Sequence, residues 1–172
     1  AQSVVLWGLR AGCLLAASVA ERFSGRPLAL LLWQPVPSGQ QQLSQFLRLR
    51  VAAQVLEGGS GESAADLKAR LAGGDTVEVA GYLLTPGLFK ALSQVKLDTR
   101  LPDGVPIAVL EVSQRENPSI SAGTQKLLDS WQPAGHPTQG QVINGDSFWA
   151  TLELAYALSL IHISEPTRPR LI

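Results

Sequence analysis

Apolar residues along this chain follow two rhythms, short unbroken runs and stretches that recur about every three to four positions. SVVLWG is unbroken: Val4 to Trp7 read as a strand buried on both faces and closed by Gly8. From Ala11 to Phe23 the period turns helical, with Leu14, Leu15, Val19 and Phe23 on one face and Gly25 placed to end the helix. LALLLW, Leu28 to Trp33, is a second buried strand that stops before Pro35. Strand, helix and strand in this order make a βαβ unit, whose strands are parallel and whose crossover is right-handed.

The middle of the chain behaves differently. Gln40 to Leu56 reads as an amphipathic helix with Leu43, Phe46, Leu47, Val51 and Val55 on its apolar stripe. A glycine-rich turn, EGGSGE, follows. Ser63 and Asp66 then have capping-box spacing for a short helix ending at Gly73-Gly74. Thr85 as cap with Pro86 behind it opens another helix, to about Val95. Pro37 to Lys96 therefore predicts a mostly helical insertion, too long for an ordinary βα connection. Such insertions form lids, and Phe46 and Leu47 are expected to face the sheet. After DTRLPDGVP the sheet pattern returns: a strand over Ile107 to Val112, a helix from about Ser121 to Trp131, a short strand over Gln141 to Ile143 and a last helix over Phe148 to Ala157. The four strands should lie side by side, parallel and in chain order.

Composition adds limits. A chain of 172 residues that is 45% hydrophobic and 16% charged has the makings of a buried core. Fourteen basic and fourteen acidic side chains cancel, so no net field favours nucleic acid. No apolar run is long enough to span a bilayer. A single cysteine, Cys13, precludes an internal disulfide and fits a reducing, cytoplasmic setting. No cofactor or metal motif is present.

The chemistry concentrates in VVLWGLRAG. A strand running into G-x-x-x-G and then a helix is the setting of the nucleophile elbow, G-x-S-x-G, in α/β hydrolases. Gly8 and Gly12 stand in place, and the central residue is Arg10. The bland alternative is a βα turn whose glycines only permit close packing. Around this turn, LWGLRAGCLLA, LLLWQPVPSGQQQLSQFLRLRVAA, LAGGDTVEVAGYLLTP and GDSFWATLELA resemble the exosortase A system-associated hydrolase 2 family. These are bacterial α/β-hydrolase-superfamily proteins encoded near exosortase and exopolysaccharide genes. The resemblance covers most of Val4 to Ala157. It implies the C-terminal half of a three-layer α/β-hydrolase fold: core over 1–36, helical cap over 37–96, core again over 97–157. It also implies that the early strands and oxyanion loop lie upstream, and that an arginine elbow is shared by the family. The segment 158–172 includes LSLIHISEPTR, which resembles a translated transposon-end sequencing adapter, as in metagenomic sequence. It is excluded from fold reasoning as non-native, and His162 with it.

In such a fold the triad acid follows the strand after the cap, where SQRENP offers Glu116; an exposed turn residue is an equal account. The triad histidine belongs near GDSFW, which offers Asp146 and Ser147 but no imidazole. His136 precedes the strand and reads as an exposed loop residue. Arginine is neither nucleophile nor base, because its guanidinium stays protonated, so no serine-hydrolase triad is complete here. Cys13 reads as a small buried hydrophobe rather than a substitute nucleophile. Arg48 and Arg50 read as a solvated helix face, and Trp7, Trp33, Trp131 and Trp149 as packing. The sequence thus points to a catalytically altered homologue that binds a small anionic or acyl ligand at Arg10, in a site of phosphate, carboxylate or acidic-sugar character. Two other readings stand beside it: an active ester or acyl hydrolase using upstream residues, and a structural partner of the exosortase or polysaccharide machinery.

Overall fold

A computed structural model describes residues 3–23, 25–56, 61–97 and 101–150. Four strands form one sheet: β1 (Val4–Leu9), β2 (Leu28–Trp33), β5 (Ile107–Ser113) and β6 (Thr138–Asn144). They are hydrogen-bonded in the order β1-β2-β5-β6, every pair parallel, as the alternation of buried runs and helices predicts. The register aligns Leu6 with Leu30 and Leu30 with Ile107, so these side chains share one face. That face is covered by α1 (Ala11–Ala20) and α5 (Ala122–Trp131), whose Cys13, Leu14, Ala17, Leu127, Leu128 and Trp131 complete the main core. The fold is therefore mixed α/β with a parallel sheet.

The buried face of α1 differs from the expected one. Cys13, Ala16, Ala17 and Ala20 are buried beside Leu14, whereas Leu15 is 62% exposed. Small side chains let this helix lie close to β1. Phe23 packs against the core from a single 3₁₀ turn (Glu21–Phe23) that ends the helix, and Gly25 follows with φ +84°.

Between β2 and β5 the chain builds a second body: α2 (Gly39–Leu56), α3 (Ala64–Gly73), a hairpin of β3 (Val77–Val79) and β4 (Tyr82–Leu84), and α4 (Pro86–Ser93). The capping box at Ser63 and Asp66 and the Thr85 cap with Pro86 form as their spacing predicts. The insertion is mostly helical, as expected, and the antiparallel hairpin is an addition to that expectation. Val77 and Val79 alternate inward around exposed Glu78, and Ala80-Gly81 supply the two positive φ values of a tight primed turn.

A correction concerns α2. Leu47 is fully buried, but against Leu43, Leu67, Leu71, Val77, Val79 and Leu84, and Phe46 packs on the same cluster. The insertion has its own core, so its apolar stripe turns inward rather than to the sheet; Val55, near the helix end, is 67% exposed. The two bodies meet at a neck where the chain enters and leaves. Ser38 bridges Lys96, Gly39 N–H donates to the Val95 carbonyl at 2.9 Å, and Leu97 N–H to that of Pro37 at 2.9 Å. Among the described residues no helix is long and apolar enough to cross a membrane. Of the predicted final helix only a 3₁₀ turn (Phe148–Ala150) lies within the described residues; 151–172, with His162 and the adapter-like segment, lie outside them.

Candidate functional site

The site begins with the turn after β1. Arg10 has φ +52°, a left-handed conformation that costs a non-glycine residue about 1–2 kcal/mol. The turn is held on both sides: Arg10 N–H donates to the Trp33 carbonyl at 3.0 Å, and Cys13 N–H to the Arg10 carbonyl at 3.0 Å. Gly8 is required here, because a Cβ on it would lie 2.5 Å from Cys13 N and from the Gly12 carbonyl. Gly12 has open space around it, so close approach explains one elbow glycine and not the other.

The next strand repeats the device. Gln34, just past β2, has φ +45°, and its backbone N–H donates to the Leu110 carbonyl. Its side-chain Oε1 accepts from Val112 N–H at 2.8 Å, continuing the β2–β5 ladder with a carboxamide in place of a peptide. Two non-glycine residues in the left-handed region thus stand at the carboxyl ends of adjacent strands. Both line one cavity of about 520 Å³, bounded also by the end of β5, the first turn of α5 and the N-terminal half of α2. The carboxyl ends of parallel strands are where open α/β sheets take ligands.

Arg10 is half-buried, and burial pushes its guanidinium below the usual arginine range. It nevertheless stays a cation. Its Nη2 donates to Gln45 Oε1 of α2 at 2.5 Å, and the guanidinium lies 5.8 Å from the Trp149 ring centroid, within cation–π range. Both partners are neutral. Among the described residues ion pairs join Arg70 to Glu62 and Asp75, and Arg10 has none. No group of three potential metal ligands occurs among the described residues.

The carboxylate in the cavity wall is Glu111, which sequence reasoning passed over. It is 7% exposed, and both its oxygens are engaged. Oε2 accepts from Ser121 N–H at 2.7 Å, and Oε1 from the hydroxyls of Ser121 and Thr124. Glu111 thereby ties the end of β5 to the first turn of α5. The available signal was a lone carboxylate inside the apolar run IAVLEVS, since such a group is buried only with partners. Gln34 and Gln45 carried no comparable signal.

Of the positions read as triad equivalents, Arg10 alone lines the cavity. Glu116 is exposed and does not pair with Arg10. Asp146 and Ser147 are exposed after β6; Asp146 accepts from Gln114 Nε2. His136, expected in an exposed loop, is instead 6% exposed, packed before β6 at the far end of the strands from the cavity. Cys13 is fully buried with its thiol directed to the Gly8 carbonyl, and burial pushes it up to about 12, so it supplies no thiolate. Arg48 is exposed, and Arg50 donates to the Glu78 carbonyl at 2.8 Å in the insertion. Trp33 and Trp131 are buried as packing residues, whereas Trp7 is 62% exposed and stacks on Trp33 at 5.9 Å. Phe148 meets Trp33 edge-on at 5.4 Å and Trp149 at 5.1 Å, an aromatic series that ends at Arg10.

No family model and no curated protein matches the chain. Among solved structures, that of DcsB in complex with its substrate analogue is similar at 14% identity and a TM-score of 0.47, over 94% of this chain. This chain spans 62% of the length of that one, and a likeness so distant says nothing of activity.

Proposed function

We propose that the cavity at the carboxyl end of the sheet binds a small anionic ligand through Arg10, on a catalytically altered α/β-hydrolase scaffold of the exosortase-associated kind that the sequence resembles. The observation that carries this reading is the half-buried Arg10 guanidinium, which lines a cavity and, among the described residues, has only a neutral amide and a ring as partners. A cation held in part away from water gains most from an anion that enters beside it. Pairing with Glu116 would have favoured a purely structural arginine, and that pair does not form.

The backbone supports the same reading. A positive φ at a strand-to-helix turn is the strain by which an elbow lifts one side chain above a sheet. Here that side chain can bind and polarise, and it cannot attack a carbonyl. The test is calorimetric titration with inorganic phosphate alongside labelling by a fluorophosphonate probe. Phosphate binding that Arg10→Gln weakens at least tenfold, with no labelling, is expected. Binding indifferent to Arg10→Gln overturns the anion-site reading. Labelling that a serine substitution abolishes shows instead an active hydrolase with a relocated nucleophile.

A further inference from the structure

The walls of the cavity narrow the class of ligand. Three carboxamides line it from two sides: Gln34 from the end of β2, and Gln41 with Gln45, one turn apart on the same face of α2. Their hydrogen-bonding capacity is only partly used inside the protein. Gln34 and Gln45 each have Oε1 engaged, by Val112 N–H and by Arg10, and neither Nε2 has a partner among the described residues. The Gln41 carboxamide has none on either atom among the described residues, since the bond from Gln41 to the Ser38 hydroxyl is donated by its backbone N–H. Glu111, by contrast, is fully engaged and offers the ligand no open carboxylate.

Uncharged carboxamides that donate and accept match groups that do the same, which means hydroxyls. An acyl chain entering this space would strip water from the amide N–H groups and leave them unpaired, at about a tenfold loss of affinity for each. An ordinary drug-like pocket is lined mainly by apolar and aromatic groups; this one has no aromatic residue in its lining and sets three carboxamides and two arginines beside apolar residues such as Val36 and Ile120. We infer that the ligand is a polyhydroxylated anion, a sugar acid or sugar phosphate, whose charge pairs with Arg10 and whose hydroxyls are read by Gln34, Gln41 and Gln45. Exposed Arg115 also lines the cavity and adds to its preference for negative charge. The inference rests on Arg10 as the anion-binding group and adds the recognition of hydroxyls.

Calorimetric titration of the whole chain with glucuronate, glucose, acetate and octanoate separates the two claims. Glucuronate is expected to bind at least tenfold more tightly than acetate or glucose, with octanoate weakest. Gln41→Leu leaves the Arg10–Gln45 bond in place and should cost glucuronate about tenfold while acetate is unchanged. Arg10→Gln should weaken both acids. Acetate equal to glucuronate, octanoate tightest, or no effect of Gln41→Leu overturns the hydroxyl-reading inference and leaves the anion site standing. Binding of every acid indifferent to Arg10→Gln overturns both.

Discussion

The sheet layer and the insertion are two cores built by different means. The sheet core depends on distant pairing: β2 joins β5 across the whole insertion, and Leu30 meets Ile107 only because the intervening chain returns to its starting point. The insertion closes on its own neighbours, with capped helix ends and a tight hairpin satisfying its backbone locally. Leu92 is the partly buried side chain that packs against both clusters. Away from the neck, the Arg10–Gln45 hydrogen bond joins the elbow to the insertion, and it lies in the cavity wall. A body with its own core, joined by a narrow neck and lining the cavity with α2, is the arrangement a lid requires.

The sharpest test of two separate cores is a pair of cavity-making substitutions. Leu32→Ala in the sheet core and Leu47→Ala in the insertion should each cost about 2–5 kcal/mol, since both side chains are fully buried. Leu32 and Leu47 belong to different clusters, which share Leu92 at their margin, so their effects in urea denaturation should add to within about 0.5 kcal/mol. A double variant well short of that sum would merge the two cores into one.

The neck comes next. A Cβ on Gly39 would lie 1.7 Å from the Leu92 carbonyl oxygen, so the chain entering α2 passes against the end of α4 with no space for a side chain. Gly39→Ala should cost about 2–3 kcal/mol and weaken phosphate binding by displacing Gln45. Unchanged stability would mean that the neck is loose and the insertion is positioned by other contacts.

Cys13 probes the sheet core alone. Burial raises its thiol from an ordinary 9.0 to about 12, so the folded state favours the neutral form. That contribution to stability is complete below pH 9.0 and is lost as pH rises toward 12. The urea midpoint should fall across this range in the wild type and less steeply in Cys13→Ala. Below it, a thiol reagent should modify Cys13 only after unfolding.

The smallest effect is expected at the elbow. Arg10→Gly should be more stable than Arg10→Ala by about 1 kcal/mol, because alanine keeps the cost of φ +52° and glycine does not. Both should lose phosphate binding. Equal stability of the two would mean that the turn relaxes and carries no strain.

Four parallel strands and their order were legible from short apolar runs alternating with helical periods, but burial on both faces holds only for the central β2 and β5. β1, expected to be buried on both faces, exposes Val5 and Trp7 at 62% each, and β6 keeps only a short apolar stretch, because these two strands have a neighbour on one side only among the described residues. The caps at Ser63 and Thr85 were legible because they are local hydrogen bonds between residues three apart. The turn from β1 into α1 was legible as strand, glycine and helix, with Arg10 at its centre. Sequence could not decide which way the stripe of α2 turns, since an apolar face states that it is buried and not against what. Nor could it join Gln34, Gln45 and Glu111 to Arg10. Those residues lie on separate elements, and they share a wall only because β1, β2 and β5 end at one edge of the sheet with α2 folded back over it. Periodicity and capping are set by neighbours along the chain, whereas a cavity is set by parts of the chain that meet only after folding.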